Sequence, residues 1–87
     1  MQDRRELLEE ILAERVRQFN LPGIEFDCEN TPNDWSAIIA AYALKNTYRK
    51  NIKPNKDDFK NDMIASAAII LAALEHLDLM DKNNMFL

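Results

Sequence analysis

The hydrophobic and polar positions of this chain form three helical patterns separated by two irregular segments. In the first pattern, over residues 3–19, apolar residues recur at steps of three, four and one, which places them in one stripe of a helix. Asp3 and Glu6 have the spacing of a capping box at its start. We predict that this stripe faces the core; it consists of Leu7, Leu8, Ile11, Leu12, Val16 and Phe19.

A second helix is predicted over residues 32–48. Thr31 and Asp34 have capping-box spacing, and Pro32 occupies the first helical position, where its missing N–H costs nothing. Trp35 follows directly, and we predict that it packs back over the preceding segment as a core residue. The alternative is an exposed tryptophan that anchors a partner.

The segment over residues 20–31 breaks the helical pattern. Pro22 and Gly23 signal a turn, and the next five residues alternate apolar and acidic types. We interpret it as an extended acidic connector, because no second strand is evident to pair with it. Either Phe26 or Ile24 of this segment is the predicted contact of the tryptophan.

A third helix is predicted over residues 56–77, after a cap at Asn55 and followed by a short tail over 78–87. Between Met63 and Leu74 it is apolar on nearly every side, which is typical of the central helix of a bundle or of a helix that buries a second face against another subunit. We therefore predict a homo-oligomer, most simply a dimer. Its interface residues are Met63, Ala67, Ile70 and Leu74.

One glycine and three prolines leave little material for hairpins, so the fold class is all-α. The expectation is one domain over 1–87, a small three-helix bundle with the extended acidic connector between its first two helices. A chain of this length buries only a modest fraction of its surface when it folds, which favours the prediction of a partner subunit.

Composition narrows the classes of function. The single cysteine, Cys28, cannot form a disulfide within the chain and suits a reducing, cytoplasmic location. A formal charge of −4 argues against general nucleic-acid binding. No apolar run is long enough to cross a membrane, so no membrane association is expected. With one histidine and one cysteine, a zinc site within one chain is excluded, and no cofactor is expected.

Two groups of charged residues are candidate sites. Six basic residues fall within a window of sixteen and form a candidate binding patch for an anionic ligand, an acidic protein or, less favoured, nucleic acid: Lys45, Arg49, Lys50, Lys53, Lys56 and Lys60. The alternative is that these basic residues form a solvated helix end and loop without a ligand. A weaker candidate is a Mg²⁺ site formed by four carboxylates: Glu6, Glu9, Glu75 and Asp78. These carboxylates converge only if the start of the first helix lies beside the end of the third.

The order of motifs resembles a group of small bacteriophage and prophage proteins, some described as MazG-like or as N-terminal segments of phage dATP/dGTP diphosphohydrolases. The resemblance lies in Glu14-Arg15-Val16-Arg17-Gln18, in the segment from Thr31 to Tyr42, and in the alanine-rich helix that closes with Glu75-His76-Leu77-Asp78. It implies a phage origin and a helical fold. MazG-type pyrophosphohydrolases carry Glu-x-x-Glu and Glu-x-x-Asp close together, whereas in this chain Glu6-x-x-Glu9 and Glu75-x-x-Asp78 are far apart.

From these observations we expect a phage-type accessory protein that acts without catalysis by binding a host or phage macromolecule, in host takeover or counter-defence. The alternative is a divergent MazG-like nucleotide binder or Mg²⁺-dependent nucleoside triphosphate pyrophosphohydrolase, with a carboxylate cluster built across a dimer.

Overall fold

A computed structural model describes residues 1–47 and 52–87, and within these ranges the protein is all-α. It contains α1 (Arg4–Phe19), a 3-10 helix (Ile24–Glu29), α2 (Pro32–Ala43), α3 (Lys56–Glu75) and α4 (Leu77–Lys82). The all-α prediction is confirmed. The described residues hold four α-helices and a 3-10 helix where three helices were predicted.

The predicted starts of the three long helices are confirmed by their caps. The Asp3 carboxylate accepts from the Glu6 N–H at 2.8 Å. The capping box of α2 is complete, with Thr31 Oγ1 accepting from Asp34 N–H and Asp34 Oδ2 accepting from Thr31 N–H. Asn55 Oδ1 accepts from two N–H groups in the first turn of α3. These contacts satisfy backbone donors that a helix start leaves without partners.

The segment predicted as an extended connector is a 3-10 helix, so that prediction was wrong. Gly23 adopts φ 91°, a left-handed conformation that glycine accepts without strain, and turns the chain after α1. Phe26 N–H then bonds to the Gly23 carbonyl at 3.0 Å, and Asn30 N–H to that of Asp27 at 3.2 Å. With no neighbouring strand in the described residues to pair with, the backbone satisfies its polar groups through these local i→i+3 bonds.

The ends of α2 and α3 also differ from prediction. α2 ends at Ala43, five residues before the predicted end. α3 ends at Glu75, since His76 Nδ1 donates to the Ala72 carbonyl at 2.7 Å and caps the last turn. The predicted tail begins with α4 instead. After α4, Asn84 takes φ 59° and turns the chain back, so that Met85 packs on the core.

α3 is the central helix, as predicted, and contacts each of the other α-helices. α1 runs parallel to it, with Glu10 beside Lys60 and Gln18 beside Ala65. α2 runs antiparallel, since Trp35 at its start lies against His76 at the end of α3.

The core lies between α2, α3 and α4. Trp35 is 4% exposed and packs with Ile69, Ala72 and Met80. The prediction that Trp35 is a core residue is therefore confirmed. The predicted contact with Phe26 was wrong, because Phe26 is 59% exposed.

α1 turns a different side toward α3 than the sequence predicts. Gln18 is buried, and its Nε2 donates to the Ala65 carbonyl and to Glu14. These bonds fix the rotation of α1 so that only Leu7 and Ile11 of the predicted stripe are half-buried. The prediction of a core-facing stripe was wrong for the rest of α1.

Candidate functional site

The most unusual feature of the molecule is an uncovered apolar stripe on α1. Its members recur at steps of four and three and carry side chains that globular proteins normally bury. Val16 is 63% exposed and the others exceed half. The stripe consists of Leu8, Leu12, Val16 and Phe19.

A second uncovered stripe runs along α3. Leu74 is 60% exposed and Ile70 45%, while Ala67, between Met63 and Ile70, is half-buried. The stripe consists of Phe59, Met63, Ile70 and Leu74. Its members lie four, seven and four residues apart, which keeps them on one side of the helix and suits packing against another helix. Of the four residues predicted as an oligomer interface, the structure thus leaves Met63, Ile70 and Leu74 exposed.

Both stripes are turned away from α2. On α1, Glu14 and Arg17 border a surface pocket together with Tyr42 and Lys45, which marks the side of α1 that faces α2. At 3.6 residues per turn the apolar residues of α1 lie on the other side of that helix. On α3, the residues that meet α2 centre on Ile69, and the exposed stripe lies away from them. We call the two stripes together the apolar face.

The size of the uncovered surface is abnormal for a monomer. The accessible surface is 7034 Å², whereas a folded monomer of 10.1 kDa is expected to expose about 5,300 Å². The radius of gyration is 14.6 Å, against about 12 Å for a compact chain of this length. The chain therefore exposes about 1,700 Å² more than a self-contained domain of its mass.

Ion pairs join α1 to α3 beside the apolar face. Arg15 Nε donates to Glu75 Oε1 at 2.8 Å, and the Arg15 guanidinium lies 5.7 Å from the ring centre of Phe19. Lys60 Nζ lies 3.1 Å from Glu10 Oε1. Because both pairs are partly open to solvent, they orient α1 more than they stabilise it.

Two further polar contacts fix the helices. Hydrogen bonds from Arg17 lower the pKa of Glu14 below its ordinary value; burial opposes the shift and Gln18 adds to it. Asp62 is buried at the junction of α2 and α3, and Asn46 Nδ2 donates to both of its carboxylate oxygens at 3.0 and 3.1 Å. These buried or half-buried carboxylates have protein donors, which marks them as structural contacts.

The predicted basic patch is only partly described by the structure. Lys45, Lys53 and Lys56 are exposed, and Lys60 is half-buried in its pair with Glu10. Arg49 and Lys50 lie outside the described residues. The patch remains a prediction.

The four carboxylates considered for Mg²⁺ do not come together within one chain. Glu6 and Glu9 lie in the first half of α1, at the end of the molecule where Lys60 pairs with Glu10, and both are exposed. Glu75 pairs with Arg15 near the opposite end, where Asp78 lies in the first turn of α4. No group of three potential metal-ligating side chains occurs in residues 1–47 and 52–87.

A cleft of about 160 Å³ lies between α1, α2, α3 and the 3-10 helix. Trp35, Tyr42 and Ile69 are among its apolar walls, and Arg15 and Asp27 place opposite charges in its lining. Within the described part of the chain, Trp35 Nε1 is the one buried side-chain polar atom without a hydrogen-bond partner.

Comparisons of the chain with protein-family models, with curated proteins and with solved structures found no match. Among the helices described, none has the length and apolar character needed to cross a membrane.

The sequence analysis missed the α1 half of the apolar face and the polar lining of the cleft. A usable signal was present: Glu14 and Gln18 share a helix side with Leu7 and Ile11, and that side fits the small residues of α3. The side of α1 with more apolar residues was predicted to face the core. Close approach to the alanine-rich α3 instead favours the side of α1 that carries Gln18, which hydrogen-bonds to α3.

Proposed function

We propose that this protein is a non-catalytic helical interaction module that acts as a homodimer, with the apolar face of one copy covered by that of the other. One observation carries the proposal: eight large apolar side chains on α1 and α3 are exposed in two regular stripes. Exposed apolar patches of this extent mark interaction sites.

The surplus surface fits a second copy. A standard interface buries about 800 Å² per partner, and obligate homodimers bury about 2,000–5,000 Å² in total. The surplus of about 1,700 Å² per chain is spread over the whole molecule, and the apolar face is the part of it that a second copy would cover. In such a dimer, α1 and α3 of one copy pack against α1 and α3 of the other, with apolar side chains on both sides of the interface. The same surface then serves in both copies, which is what a twofold dimer requires.

The test is the mass in solution, measured by light scattering after size exclusion at about 100 µM, a concentration that populates an obligate dimer. We expect twice the chain mass of 10.1 kDa. Leu74→Glu is expected to give the monomer, because it places a charge in the covered face. Leu44→Glu is the matched control, since Leu44 is as exposed as Leu74, at 61% against 60%, but lies at the end of α2. A wild-type monomer, or equal behaviour of both variants, contradicts the proposal.

The phage-type accessory role is part of this proposal, with a host or phage macromolecule as the target. It is supported by the separation of two exposed lysines from the apolar face: Lys45 and Lys53 lie between the end of α2 and the start of α3. A dimer therefore leaves them free to contact an acidic partner.

The non-catalytic part is tested with a panel of nucleoside triphosphates and Mg²⁺. We expect no pyrophosphate release, because the carboxylates that such chemistry needs do not converge within one chain in the described residues. Release that disappears in Glu75→Gln would support the pyrophosphohydrolase alternative and overturn this part of the proposal.

A further inference from the structure

The cleft between α1, α2, α3 and the 3-10 helix has the walls of a small-molecule site. Ile38, Ile69 and Ala72 supply aliphatic surface, and Trp35 and Tyr42 supply aromatic surface. Ligand sites combine such walls with a few polar groups that fix orientation. The cleft is distinct from the apolar face, and the inference below does not rest on dimerisation.

Trp35 supplies the largest side chain of this wall. Its side chain is 4% exposed, and its Nε1 is buried and has no partner among the described residues. Because this N–H does not open onto the cleft, a ligand in the cleft contacts the ring of Trp35 and not its N–H.

The polar lining carries one cation and one anion. Only the Nε of Arg15 is bonded in the described residues, to Glu75, which leaves its two terminal nitrogens as donors. Asp27 is half-buried in the 3-10 helix, and none of the ion pairs found in the described residues includes it. A carboxylate alone would be repelled by Asp27, and an amine alone would be repelled by Arg15.

We propose that the cleft binds a free α-amino acid with an apolar side chain. Arg15 holds the carboxylate, Asp27 holds the ammonium group, and the side chain lies against the aromatic and aliphatic wall. The volume of about 160 Å³ sets the size, because a cavity of about 150 Å³ accommodates a molecule such as benzene. Leucine and phenylalanine side chains fit this limit, and a nucleotide exceeds it.

The experiment titrates the full chain with L-leucine and follows the indole N–H signal in a ¹H–¹⁵N NMR spectrum. The chain has one tryptophan, so this signal reports on Trp35 alone. We expect a shift that saturates with a Kd of about 0.1–1 mM, the range that nine heavy atoms typically reach. Two comparison ligands remove one charge each: 4-methylpentanoate lacks the ammonium group and 3-methylbutylamine lacks the carboxylate. Both are expected to bind about tenfold more weakly or worse, because each leaves one charged group unpaired.

Variants test the two assigned contacts. Arg15→Gln and Asp27→Asn are each expected to raise the Kd for L-leucine about tenfold. Arg5→Gln and Glu29→Gln are matched controls on the same helices, both exposed and outside the cleft, and are expected to leave the Kd unchanged. Because Arg15→Gln also removes the contact with Glu75, its far-ultraviolet circular dichroism is compared with that of Glu75→Gln. A folded Glu75→Gln variant that binds normally supports the assignment to Arg15.

Three results overturn the proposal. The first is an indole signal that stays unchanged in about 10 mM L-leucine, well above the expected Kd. The second is equal binding of the amino acid, the acid and the amine. The third is an Asp27→Asn variant that binds like wild type.

Discussion

Replacement of Trp35 tests the account of the core. Trp35 packs with Ile69, Ala72 and Met80, each at most 6% exposed. Trp35→Ala leaves a cavity among these neighbours and is expected to cost about 3–5 kcal/mol in the free energy of unfolding. A chain of 87 residues has about 4–13 kcal/mol in total. The variant should therefore lose about a quarter of its stability or more and melt at least about 12 °C lower.

The assay is urea denaturation followed by far-ultraviolet circular dichroism, at one protein concentration because the proposed dimer would add to the measured stability. Trp35→Phe keeps most of the ring and removes the unpaired N–H, so we expect a cost below about 1.5 kcal/mol. Phe26→Ala is the exposed control and is expected to change stability by less than about 0.5 kcal/mol. The reasoning fails if Trp35→Ala costs under about 1 kcal/mol, or if Trp35→Phe costs as much as Trp35→Ala.

Three other predictions concern polar contacts. Asn46→Ala removes both donors to the buried Asp62 carboxylate and is expected to cost about 1.5–3 kcal/mol by urea denaturation; a neutral result would contradict the structural role of this contact. Thr31→Ala removes the side-chain acceptor of the α2 capping box and is expected to cost about 1 kcal/mol, whereas an unchanged denaturation midpoint would count against the cap. Because Arg17 lowers the pKa of Glu14, this carboxylate stabilises the fold above its unfolded pKa and loses that contribution as the pH falls through its folded pKa. Below about pH 4.3 the melting temperature of Glu14→Gln should therefore fall less than that of the wild type. Parallel curves of melting temperature against pH for the two proteins would contradict the assignment.

The starts of the helices could be predicted from the sequence because caps are local. Asp3, Thr31 and Asn55 each act on N–H groups two or three residues away, so the spacing alone specifies the contact. The central position of α3 was equally predictable, since a helix that is apolar on nearly every side has to be covered on most of them.

The rotation of α1 and the form of the connector could not be predicted in this way. α1 offers two sides to α3, one more apolar and one carrying Gln18, and the choice depends on the carbonyl of Ala65, 47 residues away. The alternating residues after Gly23 fit a strand by pattern, yet a strand needs a partner, and the i→i+3 bonds of a 3-10 helix need none. The cleft depends on four elements at once, so no single segment signals it.

Contacts between two copies test the central claim most directly. A sample that mixes ¹³C-labelled with unlabelled protein gives an isotope-filtered NOE spectrum in which signals arise only between copies. We expect intermolecular signals from methyl groups of the apolar face, above all those of Leu12, Val16, Ile70 and Leu74. No intermolecular signal at about 0.5 mM, far above the Kd of an obligate dimer, would contradict the account, as would signals confined to other residues such as Leu44.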